Sequence, residues 1–177
     1  MTAQSWRLCD RILQFQTKWF TLIGEHLQPS NGTVLEYWRI EKADSVIIIP
    51  IQNQQLILPS STYRPGLGKT TLDFPGGRCP KSQPLEQAAV SILKRELGIA
   101  AATISQLTLL NQTGWAVNSS FSNQKLYGFV AQLQPDVVIP MKHVGVTYAA
   151  TAKGIQLLLN EISCLQCRLV LRERQAR

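Results

Sequence analysis

Residues 77–99, GRCPKSQPLEQAAVSILKRELGI, decide how this chain is read. The segment starts as a glycine loop. Pro84 falls where the first turn of a helix tolerates a residue without an N–H. Gly98 falls where a left-handed residue ends one. Between them Leu85, Ala88, Ala89, Ile92 and Leu93 recur three and four residues apart, giving one apolar stripe. The spacing predicts a helix over residues 84–97 whose last turn carries Lys94, Arg95 and Glu96.

Upstream of that helix the chain reads as strands. Residues 7–27 are apolar and aromatic but mixed in period. They predict a short helix or extended entry, then a strand over 19–27. Pro29-Ser30-Asn31-Gly32 is a turn signal, and Asn-Gly is a strong hairpin marker. The alternating residues 33–41 should pair back across it. Residues 45–51, SVIIIPI, are β-branched and continuously apolar, as in a strand buried on both faces. Residues 55–59 return after the Asn53-Gln54 turn. A loop with Pro65, Gly66 and Gly68 then leads to a short strand over 70–74 and a Pro-Gly-Gly break.

Downstream, residues 104–111 and 125–133 read as strands around a polar loop at 117–124, and 137–139 as one more short strand. Residues 149–173 read as a single long amphipathic helix on Ile155, Leu158, Leu159, Ile162, Leu165 and Leu169. Strands first, one helix in the middle and one at the end make an α+β domain. The boundaries expected are an N-terminal strand extension over 1–44 and a main domain over 45–177.

A chain of 177 residues with 45% apolar content is long enough to bury a core. No apolar run reaches the roughly 18 residues of a membrane span, and the start MTAQSWRLCD lacks the pattern of a secretory signal. Four cysteines without such a signal fit reduced thiols and a cytoplasmic location. The net charge of +7, from 18 Lys and Arg against 11 Asp and Glu, favours anionic partners. The tail RLVLRERQAR concentrates Arg168, Arg172, Arg174 and Arg177 against Glu173. It reads either as a solvated helix end, where cations suit the dipole, or as a surface for RNA or an acidic protein.

The frame of residues 77–99 resembles the Nudix box, G-x5-E-x7-R-E-U-x-E-E-x-G-U with U apolar. Gly77 and Gly98 take the two glycines without a gap, Leu93 and Ile99 the apolar positions, and Glu96 the second Glu of the E-E pair. Gln83, Ser91, Ile92 and Arg95 replace the other charged residues. The preceding SSTYRPGLGKTTLDFPGG is similar to the approach segment of ADP-ribose pyrophosphatases and related nucleoside-diphosphate-sugar hydrolases: Tyr63, Arg64 and Pro65 fit, while Asp73 and Gly76 replace Glu and Ala. The resemblance implies the Nudix fold, a mixed β-sheet sandwiched between helices. It also implies a nucleotide diphosphate or sugar nucleotide as ligand, Mg²⁺ or Mn²⁺ as cofactor and, from the N-terminal strands, a homodimer.

The same resemblance makes Glu96 and the Gly76 carbonyl metal ligands and puts Arg64 near the substrate. Mg²⁺ asks for several hard oxygens, and helical residues three and four apart share a face. Here that face offers Ile92, which cannot ligate, and Arg95, a permanent cation. Gln83 can add one neutral oxygen. Family members also carry a catalytic carboxylate after the last main strand, and residues 134–150 contain only Asp136, which beside Pro135 also reads as a turn former. Arg95 beside Lys94 either grips a phosphate in place of the ion or pairs with neighbouring side chains. Trp38 is a candidate for stacking on a base. Cys164-Leu165-Gln166-Cys167 reads as core-side small residues on one helix face, because Cys9, Cys79, His26 and His143 supply no second pair for zinc.

Three functional readings follow. The chain is a Nudix-fold protein with impaired catalysis that binds nucleotide or regulates. Alternatively it is an active hydrolase using Glu96, Gln83, Asp73 and Asp136 with one metal. The third reading is a basic adaptor for RNA or an acidic protein, with no membrane partner in any of the three.

Overall fold

The computed structural model describes residues 6–177 and divides them into two compact units. One comprises residues up to 43 together with 116–125. It holds an antiparallel sheet of β1 (Arg7–Gln16), β2 (Thr21–Gln28) and β3 (Leu35–Glu41), in that order. The opening segment is thus two strands joined through a bend at 17–20, with no helical entry among the described residues. The β2–β3 turn closes on Gly32, whose N–H reaches Pro29 O at 3.0 Å. Glu25 is buried in this sheet, and Arg39 Nε and Arg11 Nη2 each lie 3.0 Å from one of its carboxylate oxygens.

The other unit comprises residues 44–115 and 126–177. Its strands are β4 (Asp44–Gln52), β5 (Gln55–Pro59), β6 (Thr62–Arg64), β7 (Lys69–Thr71), β8 (Gly76–Cys79), β9 (Ile104–Leu109), β10 (Trp115–Ala116), β11 (Lys125–Leu133) and β12 (Val144–Ala149). Its helices are α1 (Leu85–Leu97), α2 (Ala152–Glu161) and α3 (Leu165–Gln175). The main sheet runs β10-β11-β4-β5-β12, with β8 also on β4 and β9 on β11; β11 is parallel to β4, and β5, β8, β9 and β12 pair antiparallel. The arrangement is the mixed sheet of the α+β Nudix fold.

The strand β4 is central because both its faces are apolar, as its unbroken β-branched run requires. Val46 and Ile48 pack with Ala88, Ala89, Ile92, Leu93 and Leu97 of α1 and with Phe129 and Ala131 of β11. On the opposite face α3 packs against β4, and Val170 lies over Gly128. The helix α1 starts after Pro84, which is its N-cap rather than a first-turn residue. It ends at Gly98, with φ +69°, where the Ile99 N–H turns back to Leu93 O at 3.3 Å.

Other local expectations change. The strand over 70–74 is β7 and stops at Thr71, and the Pro-Gly-Gly stretch leads straight into β8 rather than a loop. Residues 137–139 form no strand; the edge strand is β12, whose exposed Gly145 and Thr147 alternate with half-buried Val144, Val146 and Tyr148. The single long helix is two. After the Ile162 N–H closes on Leu158 O at 3.0 Å, the chain extends through Ser163 and Cys164. Arg168 then donates Nη1 to Leu159 O and, at 3.0 Å, to Ile162 O. A side chain from α3 thereby satisfies carbonyls that the end of α2 leaves without partners, which holds the break. No described helix is long and apolar enough to cross a membrane.

Candidate functional site

The last turn of α1 meets the start of β8. Antiparallel pairing sets Gly76 opposite Ile47 and Gly77 opposite Val46. At Gly77 a Cβ would lie 3.1 Å from Arg95 Nη2 and 3.2 Å from Ile92 Cδ1, so glycine lets loop and helix close up. The Gly76 N–H donates to Glu96 Oε2 at 3.2 Å. Arg95 Nη2 donates to Glu96 Oε1 at 2.5 Å and to the Gly76 carbonyl at 3.2 Å. The three residues form a closed ring. A guanidinium stands between the carbonyl and the carboxylate that the resemblance assigned to a metal, and both Glu96 oxygens are already engaged.

The other expected ligands lie elsewhere. Ile92 is fully buried in the α1 core, so its position faces hydrocarbon rather than solvent. Gln83 sits in the loop before α1, its carbonyl accepting from Cys79 Sγ at 3.3 Å, and it does not line the cavity beside Glu96. Asp136 is in an exposed turn whose neighbouring carbonyls are held by Gln52, and it too is outside that cavity. Asp73, the remaining acid of the one-metal set, does line the same cavity as Glu96, but its Oδ2 is taken by Arg64 and Thr71. Two carboxylates and one carbonyl, all already bonded to the chain's own donors, do not fit the oxygen-rich octahedron of Mg²⁺ or Mn²⁺.

A cavity of about 340 Å³ opens beside the ring, walled by Arg64, Asp73, Gly76, Glu96, Lys142 and His143 among others. Arg64 is fixed there by Asp73: its Nη2 and Nε lie 2.7 and 2.8 Å from Asp73 Oδ2, which also accepts from Thr71 Oγ1 at 2.9 Å. Lys94 is exposed on α1 and lines neither this cavity nor its neighbour. Trp38 belongs to the first unit, where its ring covers Gly24 and its Nε1 donates to Glu36 at 2.7 Å. Lys142 is not marked by any sequence motif, and His143 stands out in the sequence only as an unpaired zinc-ligand type, not as a residue of this cavity. They come from the segment searched for a carboxylate, in a short 3-10 turn at Met141–His143 that has no periodic signal.

A second cavity of about 550 Å³ shares Arg64, Asp73 and Gly76 with the first and adds Cys164 and Cys167. The hydrogen bond from Cys167 brings the Cys164 thiol down to about 6 against the opposing effect of burial. The same bond, with burial, pushes Cys167 well up. In the basic tail, Arg168 is held by the carbonyls of α2, Arg177 bonds Leu110 O, and Arg172 donates to Gln175 at 3.1 Å.

No family model matches the sequence, and no curated protein matches it. Among solved structures, the chain is similar to the crystal structure of an ADP compounds hydrolase, with 23% identity, 99% of this chain and 95% of that chain covered, and a TM-score of 0.78. At that identity the likeness establishes the architecture, which both chains share over nearly their whole lengths.

Proposed function

We propose that this protein binds the diphosphate group of a nucleoside-diphosphate compound, ADP-ribose or a sugar nucleotide, with hydrolysis impaired or lost. The observation that carries the reading is the Arg95 ring: a cation of the chain itself bridges the Gly76 carbonyl and Glu96. Arg64, Lys142 and His143 supply donors to the adjoining cavity, and guanidinium matches phosphate oxygens bidentately. A divalent ion, when bound in such a fold, neutralises the leaving phosphate and activates water. In this chain Arg64, at the cavity wall, provides the neutralisation without the activation, while Arg95 fills the place of the ion on Gly76 and Glu96. The neighbour's description as an ADP compounds hydrolase agrees with the ligand class.

Calorimetry with ADP-ribose in EDTA, paired with an assay for AMP in Mn²⁺, tests this. Binding in EDTA without turnover is expected. Release of AMP that requires Mn²⁺ and vanishes in Glu96→Gln would establish the rival reading, an active hydrolase. What favours that rival is the 59% exposure of the Arg95 side chain, which leaves it room to swing off the two oxygens. The adaptor reading has less support, because Arg168 and Arg177 are spent on backbone carbonyls. If RNA binds, its affinity must fall steeply with salt.

We also propose a homodimer formed through the N-terminal sheet. Its Leu8, Ile12, Leu13, Phe15 and Trp19 are exposed, an apolar surface that a single chain leaves in water. A dimer mass by light scattering is expected, and a monomer at micromolar concentration contradicts it.

A further inference from the structure

Among the described residues, one cluster has the donor set of a metal centre, and it is not the one the sequence pointed to. Asp73, Cys164 and Cys167 each offer a ligand atom, and these atoms all lie within 4.8 Å of one another. Zinc with thiolate bonds of about 2.3 Å places its tetrahedral donors somewhat under 4 Å apart, so a small inward shift completes the geometry. The cluster arises because the α2–α3 break makes Cys164 the N-cap of α3 and leaves Cys167 in its first turn. The sequence reading had both on one continuous helix.

The carboxylate is already oriented. Asp73 Oδ2 is held by Arg64 and Thr71, while Oδ1 lies 4.0 Å from Cys167 Sγ. Support of this kind from surrounding groups is what fixes metal ligands in place. All three residues line the 550 Å³ cavity, which gives an ion a way in. Two thiolates and a carboxylate around a divalent ion leave one negative charge, and Arg64 stands beside it. Soft sulfur selects zinc-like ions over Mg²⁺.

We propose that Asp73, Cys164 and Cys167 form a binding site for a thiophilic divalent cation of the zinc class, with two sulfurs, one carboxylate oxygen and a fourth position open to the cavity.

The test uses the full chain, reduced and metal-free, titrated with Co²⁺ and then Zn²⁺. Expected are one equivalent of Co²⁺ with sulfur-to-cobalt charge-transfer absorption, displacement by Zn²⁺, loss of the absorption in Cys164→Ser, and at least tenfold weaker binding in Asp73→Ala. Because Cys167 is buried, the unsubstituted chain supplies the second readout. Under iodoacetamide followed by peptide mass spectrometry, Zn²⁺ should slow alkylation of Cys164 at least tenfold and leave the exposed Cys9 unaffected. Absence of the charge-transfer band, an unchanged band in Cys164→Ser, unchanged affinity in Asp73→Ala, or equal alkylation of Cys164 with and without Zn²⁺ each overturns the site. No nucleotide enters these measurements, so the site stands or falls apart from the diphosphate reading.

Discussion

Replacing Arg95 by Glu should turn a closed ring into a site that takes a divalent ion. The guanidinium now bonds the Gly76 carbonyl at 3.2 Å and Glu96 at 2.5 Å. Its side chain is 59% exposed and that of Glu96 26%, so the lost ion pair is worth at most about 1 kcal/mol. Repulsion between the introduced carboxylate and Glu96 adds a similar cost in the metal-free variant. Mn²⁺ then meets two carboxylates and a carbonyl, and at 100 times its dissociation constant it restores about 2.7 kcal/mol. For a domain of this size that is a rise in Tm of roughly 5–10 °C. The assay is thermal unfolding of wild type, Arg95→Gln and Arg95→Glu with and without Mn²⁺. Wild type should not respond, the Gln variant slightly, the Glu variant by the full shift. Equal responses in all three, or none in Arg95→Glu, would refute the idea that Arg95 occupies the place of an ion.

The companion position behaves differently. Ile92→Glu buries an unpaired carboxylate among Ala88, Ala89 and Phe129 and should cost roughly 3–5 kcal/mol in urea unfolding, whereas Ile92→Val should cost about 0.5–1.5 kcal/mol. Gly98→Ala forces an L-residue to φ +69°, with its Cβ 3.1 Å from His143; a loss of about 1–2 kcal/mol is expected, and an unchanged Tm would contradict it. Glu25 is held below the usual carboxylate range, first by the Arg39 hydrogen bond, with burial opposing and Arg11 assisting. Its contribution is therefore complete above the ordinary Glu value and is lost as pH falls through the depressed one. Urea midpoints from pH 7 down to pH 3 should decline less steeply in Glu25→Gln than in wild type.

The helix α1 could be read in advance because Pro84, Gly98 and the stripe from Leu85 to Leu93 are local signals that tertiary packing did not override. The same holds for β4, whose unbroken apolar run leaves it nowhere but the centre. The site was legible only as residue types. That Arg95 reaches Gly76 depends on β8 lying antiparallel to β4, a pairing that the Pro-Gly-Gly stretch does not announce. The cysteines were misplaced for a related reason. The apolar period from Ile155 to Leu169 runs through the break without interruption, and the break is held by Arg168 bonding carbonyls up to nine residues earlier. Lys142 and His143 carry no period at all, and only the turn ending at Val144 aims them at the cavity.

A positive charge built into the polypeptide has no dissociation constant of its own. Folding delivers Arg95 at one per molecule, whatever the supply of magnesium or manganese around it. Under the diphosphate-binding reading, a protein charged in this way would be ready for its anion from the moment it is made, and removing an ion would not switch it off.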